Sequence, residues 1–258
     1  MMFKERSKKT VFLWFSLLLG ILFFVMPSSA YYQEAEVAGE PAPGTVYEGL
    51  DGNDLNTLLA IYQQMTPEGQ NNSGWFKDNL SPCTWNGISC ENGFVTRIEF
   101  NSADFFCFIP KEITNLPELQ ELKLVNLGLR GTLPENLFSM RKLRIIEISG
   151  NLLTGPIPAV DGSLFGQLPL ETLILEDNRW NDAKQQNLNN RPNLSLCTSV
   201  VAVSDIDAEP GLDGTIPATI ANLTSLSKLD LSGNNLTGEI PAELETLGRS
   251  EEHTSELQ

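Results

Sequence analysis

Apolar residues recur along the middle of this chain in a mixed rhythm that neither a helix nor a long strand produces alone. One stretch places them at Val95, Ile98, Phe100 and Phe105. The same offsets return at Leu119, Leu122, Leu124 and Leu129, and again at Leu143, Ile146, Ile148 and Leu153. A fourth stretch begins Leu170, Leu173, Leu175. A fifth is degenerate, with Val201 and Val203 before Leu212, and a sixth reads Leu226, Leu229, Leu231, Leu236. The dipeptides Ile109-Pro110, Leu133-Pro134, Ile157-Pro158, Ile216-Pro217 and Ile240-Pro241 recur with them. Their prolines step by 24, 24, 59 and 24 residues, and the long step is two periods plus 11.

The spacing predicts a stack of short coils. In each coil the second and third core positions are separated by one residue, so both side chains leave the same face of a short strand. One strand cannot bury that face unaided; a neighbouring coil beside it makes a parallel sheet with a continuous core. Asn151, Asn178 and Asn234 share one position after the strand, where a buried amide can satisfy backbone groups that lack sheet partners. Ala103 and Leu127 fill it in the first two repeats, so the ladder is incomplete at its start. Gly131, Gly155, Gly214 and Gly238 precede the apolar-proline dipeptides and suit a tight bend. Amphipathic helices do not explain the pattern, because the periods are mixed and a proline every 24 residues would break them.

A short helical face precedes the first repeat, at Leu55, Leu58, Leu59 and Tyr62, with Asn53 or Asp54 placed to cap it. Trp75 comes next, then Ser81-Pro82-Cys83-Thr84-Trp85-Asn86-Gly87-Ile88-Ser89-Cys90. The open end of a stack of coils must be covered, so core packing is the reading for both tryptophans.

The repeat resembles the plant-type leucine-rich repeat, L-x-x-L-x-L-x-x-N-x-L-x-G-x-I-P, and residues 226–247, LSKLDLSGNNLTGEIPAELETL, match it nearly throughout. The segment around Trp75 to Cys90 is similar to the N-terminal cap of that family. The resemblance implies an α/β leucine-rich-repeat solenoid, a horseshoe with a parallel concave sheet and a small helical, disulfide-linked cap. It divides the chain into a cap over 54–94 and about six repeats over 95–248, with an irregular insertion near 181–211.

The ends read differently. Lys4, Arg6, Lys8 and Lys9 precede an apolar run from Val11 to Met26, and Pro27-Ser28-Ser29-Ala30 supplies small residues at a cleavage site. Residues 1–30 are therefore a signal peptide or signal anchor, and the chain beyond them lies outside the cytosol. The run is short of the roughly 20 residues a spanning helix needs. Residues 31–53 form an acidic spacer with no apolar period, expected to be disordered. Residues 249–258 resemble the translation of a sequencing-library adapter and break the repeat in mid-stride. A seventh repeat would start near Ser250, so the native protein is expected to continue past Gly248.

Charge and cysteines narrow the function. Residues 31–248 carry 12 basic and 29 acidic side chains. So acidic a surface repels phosphate backbones and anionic lipid, which argues against nucleic-acid binding. In an exported chain cysteines can oxidise. Cys83 and Cys90 are the pair closest in sequence, and Cys107 and Cys197 are read as free thiols. His253, in the adapter-like tail, is the only histidine, so Ser-His-Asp, Cys-His and His-containing zinc sites are not expected. No catalytic residue, cofactor or metal is assigned. Carboxylates at solvent-facing positions have no enclosed pocket to raise a pKa.

Recognition is the better reading. Strand positions between the core leucines carry Arg97, Glu99, Glu121, Lys123, Arg144, Glu147, Glu171, Glu176, Asp177, Lys228 and Asp230. Evenly spaced, preorganised side chains suit a protein or peptide ligand, a co-receptor among them. The acidic group Glu171, Glu176, Asp177 and Asp205 favours a basic ligand patch. Asn71, Asn79, Asn193, Asn222 and Asn235 each begin an N-x-S/T sequon, expected to be surface the ligand avoids. The resemblance implies the ectodomain of a receptor-like protein or kinase, secreted or at the cell surface. A soluble secreted binder or inhibitor of extracellular enzymes is the alternative, and a polysaccharide-acting enzyme is the third reading.

Overall fold

The computed structural model describes residues 49–76, 81–101, 108–179 and 211–247. They build one six-stranded sheet in the order β1-β2-β3-β4-β5-β6, behind a cap of two helices.

The cap starts with α1 (Gly52–Gln63), whose N-cap is Asp51. Its carboxylate accepts from the backbone N–H of Asn53 at 2.9 Å and of Asp54 at 3.3 Å, closing two of the donors every helix start leaves open. Neither Asn53 nor Asp54 caps the helix: Asp54 lies one turn too far in, and its side chain is buried. α1 turns Leu58, Ile61 and Tyr62 inward, with Leu55 and Leu59 partly buried beside them. A second helix, α2 (Pro67–Ser73), is capped by Thr66, whose hydroxyl oxygen accepts from Gly69 N–H at 2.9 Å. Gly74 stops it at φ 73°.

Trp75 is fully buried, and its indole N–H donates to Asn86 O at 2.9 Å, which satisfies its one polar atom. Trp85 stacks on it with ring centroids 5.1 Å apart, and Phe76 packs on Trp85 at 4.3 Å. Both tryptophans are core residues. Cys83 is disulfide-bonded to Cys90, Cα–Cα 5.3 Å. That bond ties the 3-10 turn Pro82–Thr84 to β1 (Ile88–Glu91). β1 pairs antiparallel with β2 (Phe94–Phe100) through a tight turn at Asn92 (φ 51°) and Gly93 (φ 82°). Two central residues with φ > 0 are what a two-residue hairpin needs.

From β2 onward the sheet is parallel. β3 (Glu121–Leu124), β4 (Ile145–Glu147), β5 (Thr172–Ile174) and β6 (Lys228–Asp230) succeed one another in sequence order. The register is uniform: Ile98 pairs with Leu122, Leu122 with Ile146, Ile146 with Leu173 and Leu173 with Leu229. Leu122, Leu124, Ile146, Ile148, Leu173 and Leu175 point inward and are fully buried. Each such burial is worth about 1.5–3 kcal/mol. After each apolar-proline dipeptide the chain returns through a 3-10 turn: Lys111–Asn115, Leu137–Ser139, Gly162–Leu164, Ala218–Asn222 and Ala242–Thr246.

The asparagine ladder is present. Asn151 Oδ1 accepts from Leu127 N–H at 3.0 Å and Leu129 N–H at 3.2 Å, while its amide donates to Leu124 O at 2.8 Å and Ser149 O at 3.0 Å. Asn178 and Asn234 repeat the donations, Asn178 to Ile148 O at 3.0 Å and Asn234 to Leu175 O at 2.8 Å. Each amide therefore stitches its own coil to the one before.

Among the described residues the sheet passes directly from β5 to β6, between which the sequence carries the stretch with Val201 and Val203. That stretch lies outside the described residues, as do residues 1–48, Cys107 and Cys197. Leu212 closes the coil that Leu170, Leu173 and Leu175 open. Gly211 N–H donates to Leu153 O at 2.7 Å and Asp213 N–H to Gly155 O at 3.0 Å. These copy the bonds of the coil before, Leu152 N–H to Leu129 O at 2.7 Å and Thr154 N–H to Gly131 O at 2.8 Å. Among the described residues five parallel coils start from β2, β3, β4, β5 and β6, and the two stretches of the fourth are separated in sequence by residues 180–210.

Candidate ligand-binding face

Strand residues alternate, so the residues between the buried leucines form the opposite face of the sheet. Parallel pairing lines them up in rows. One row runs Arg97, Glu121, Ile145, Thr172, Lys228, and the next runs Glu99, Lys123, Glu147, Ile174, Asp230. A further position precedes each strand, where Arg144 and Glu171 sit. Past the strand ends stand Glu176 and Asp177.

The first two coils carry charges that satisfy one another. Arg97 is ion-paired with Glu99 and lies 3.3 Å from Glu121 Oε2. Lys123 Nζ lies 3.7 Å from the same Glu121 oxygen. All four side chains are half-buried, so the group is a fixed network more than a set of free handles. Arg144 reaches Glu171 with two donors on one oxygen, Nη2 at 2.7 Å and Nε at 3.1 Å. Both side chains are exposed, and a pair in water contributes about 0–1 kcal/mol.

Among the described residues, Glu176 and Asp177 of the expected acidic group stand together past β5. Glu171 is answered by Arg144, and Asp205 lies outside the described residues. Asp230 adds to Glu176 and Asp177, because register places β6 beside β5. Burial, the first cause, and the nearby Asp230 and Asp177 charges hold the Glu176 carboxyl above the usual glutamate range, with Lys228 opposing. Asp230 goes the other way. The Ser232 hydroxyl, donating to it, is the main cause of a value below the ordinary one. Asp177 occupies a left-handed turn at φ 59°, with its N–H donating to Ser232 O at 2.9 Å. Lys228 is exposed beside them.

Three residues of the face do not appear among the charged candidates. Ile145 and Thr172 are half-buried neighbours in register, and Ile174, between Glu147 and Asp230, is only 8% exposed. They form an apolar strip across the third and fourth coils. The signal was in the repeat itself, since all three occupy variable strand positions; a search for charge alone passes over them.

Of the sequons, Asn71 is exposed on α2, Asn222 is half-buried at the end of its 3-10 turn, and Asn235 is half-buried in the turn after β6. Asn79 and Asn193 lie outside the described residues.

Comparison with known proteins agrees with this architecture. Residues 51–91 match the leucine rich repeat N-terminal domain, and residues 225–247 match the Leucine Rich Repeat. The chain thus carries leucine-rich repeats behind the cap of that family. It is similar to the Arabidopsis thaliana leucine-rich repeat receptor-like serine/threonine-protein kinase RGI4, 33% identical over 39% of this chain and 9% of that protein. The Solanum lycopersicum brassinosteroid LRR receptor kinase is 27% identical over 92% of this chain and 21% of its own length. The chain spans about a fifth or less of these curated relatives. Among solved structures, the BIR3–SERK2 complex of Arabidopsis thaliana aligns with a TM-score of 0.53 at 26% identity, covering 74% of this chain and 87% of that one.

Proposed function

We propose that this chain is the extracellular recognition part of a receptor-like protein or kinase, and that it binds a protein or peptide ligand on the open face of its sheet. The observation that carries the reading is the composition of that face: half-buried Ile145 and Thr172 beside the nearly buried Ile174, bordered by the carboxyl groups of Glu147, Glu176 and Asp230. Such a surface offers area to bury and charge to orient a basic segment. Its rigid strands lower the entropy cost of binding. Arg97, Glu99, Glu121 and Lys123 set the opposite border and are neutral as a group.

Relatives named as receptor kinases, and a similar solved structure that is a two-protein complex, support the partner class. The leader at 1–30, the five sequons and the Cys83–Cys90 disulfide support an extracellular, glycosylated location. The described part acts by binding and not by catalysis.

The test is capture of extracellular proteins and peptides on the purified chain, repeated with Ile174→Arg and with Glu99→Gln. Partners lost with the first variant and kept with the second support the reading. Capture unchanged by Ile174→Arg overturns it. The sequence of the complete transcript separates the anchored receptor from the secreted binder: a hydrophobic span and then a kinase Gly-rich loop in the first case, an early stop in the second.

A further inference from the structure

One row of the open face runs Glu99, Lys123, Glu147, Ile174, Asp230, and its charges are not answered evenly. Glu121, in the neighbouring row, takes two cations, Arg97 Nη1 at 3.3 Å and Lys123 Nζ at 3.7 Å. Glu99 is ion-paired with Arg97. Asp230 Oδ1 accepts from Ser232 N–H at 3.0 Å and from the Ser232 hydroxyl at 2.7 Å. Glu147 stands in the centre of the row and is half-buried. Among the described residues its carboxylate has no hydrogen-bond or ion-pair partner. Lys123 is its register neighbour on β3, yet the ammonium goes to Glu121.

On its other sides Glu147 borders apolar surface. Ile174 pairs with it across β4 and β5, and Ile145 precedes it by two residues on the same face of β4. Thr172 lies opposite Ile145. Strands about 4.8 Å apart and a rise of about 6.6 Å over two residues set the size of the patch. A single lysine or arginine stem covers that much apolar surface while its charged end keeps polar company.

A partner that covers the patch strips water from Glu147. A neutral side chain there would leave the carboxylate dry and unanswered, which costs binding energy. An acidic one would add repulsion, so the position also rejects wrong partners. A cationic side chain supplies a charge-assisted hydrogen bond in a partly dry setting, where such bonds are strong.

We propose that Glu147 determines the specificity of the face: it selects a partner segment that lays a lysine or arginine over Ile174 and Ile145, stem on the apolar patch and cationic end on the Glu147 carboxylate. This rests on the reading of the face as a protein- or peptide-binding surface. The surroundings have the matching sign. Asp230 adds negative charge beyond Ile174, and Arg144 is held by Glu171 at 2.7 Å. Lys228, an exposed cation of the face, stands on β6, two strands away from Glu147. Because the Glu147 carboxylate holds nothing else among the described residues, Glu147→Gln alters recognition and leaves the solenoid intact.

The experiment selects peptides from a random displayed library on the purified full chain. It is repeated with Glu147→Gln, with Ile174→Arg, and with Glu243→Gln as a control for net charge on the outer turn Ala242–Thr246. Peptides held by the wild type and lost by Ile174→Arg should be enriched in lysine or arginine. Glu243→Gln should keep the enrichment and Glu147→Gln should abolish it. A selected peptide remade with citrulline for its arginine, or norleucine for its lysine, should bind the wild type about tenfold more weakly and Glu147→Gln equally well. Selected peptides with no cationic preference, or a preference that survives in Glu147→Gln, overturn the role of Glu147 and leave the binding face standing. If Ile174→Arg loses no peptide, the binding face itself falls and the role of Glu147 falls with it. Glu147→Ala takes the place of Glu147→Gln should that variant fail to fold.

Discussion

Val95 N–H, at the start of the first coil, donates to Asp54 Oδ2 in the cap helix at 2.8 Å. The bond spans 41 residues of sequence and ties the cap to the solenoid through a side chain that is fully buried. Burial holds the Asp54 carboxyl above the usual aspartate range, against the pull of the Val95 bond. Its second oxygen, Oδ1, has no hydrogen-bond partner among the described residues.

Asp54→Ala leaves Val95 N–H buried without an acceptor and should cost about 1–3 kcal/mol. Asp54→Asn keeps an acceptor and removes the buried charge, so it should cost less. Because the folded pKa is raised, the Asp54 contribution is greatest below the unfolded value and declines as pH rises through the folded value. Thermal unfolding at acidic and neutral pH checks both: the wild type should lose stability relative to Asp54→Asn on going to neutral pH.

The asparagine ladder gives an ordered pair. Asn151→Ala removes the acceptor of the Leu127 and Leu129 N–H groups and the donor to Leu124 O. Asn178 Oδ1 has no partner among the described residues, so Asn178→Ala orphans carbonyls only. The expected losses are about 2–4 kcal/mol for Asn151→Ala and about 1–2 kcal/mol for Asn178→Ala. Urea unfolding of the two variants tests the ranking.

Gly150 lies directly against Asn126 of the preceding coil. A Cβ on Gly150 would stand 2.0 Å from Asn126 Oδ1, and the backbone there has φ 68°. Gly150→Ala should destabilise by about 1–3 kcal/mol through clash and left-handed strain. Adding Asn126→Gly removes the clash and leaves the strain, so the double variant should recover part of the loss. A double-mutant cycle measured by denaturant unfolding reads the coupling.

The Cys83–Cys90 bond closes a short loop in the cap. Replacing both cysteines by serine should cost about 2–3 kcal/mol by loop-closure entropy. Hydrogen exchange should show the loss in β1 and the 3-10 turn before it, while β4 and β5 keep their protection. Uniform loss along the sheet would show that the cap and the coils unfold as one unit.

The 24-residue rhythm by itself determined the stacked coils, the parallel sheet, the inward leucines and the asparagine ladder. Each rests on spacing within one coil, and spacing is a property of the sequence. The hairpin of β1 and β2 was also legible, in Asn92-Gly93, a turn signal that a search for the repeat alone does not use. Only the tertiary structure decided the rest. Leu212 closes the fourth coil because Gly211 and Asp213 bond Leu153 and Gly155 of the coil before, and no local pattern reveals that after an interruption of 31 residues. Arg144 neutralises Glu171, and Asp230 meets Glu176, because register brings strand neighbours together from positions 27 and 54 residues apart. Asp54 is a cap-to-coil tie and not a helix cap for the same reason. Which groups a side chain meets depends on the coil stacked against it, and that contact exists only once the chain has folded.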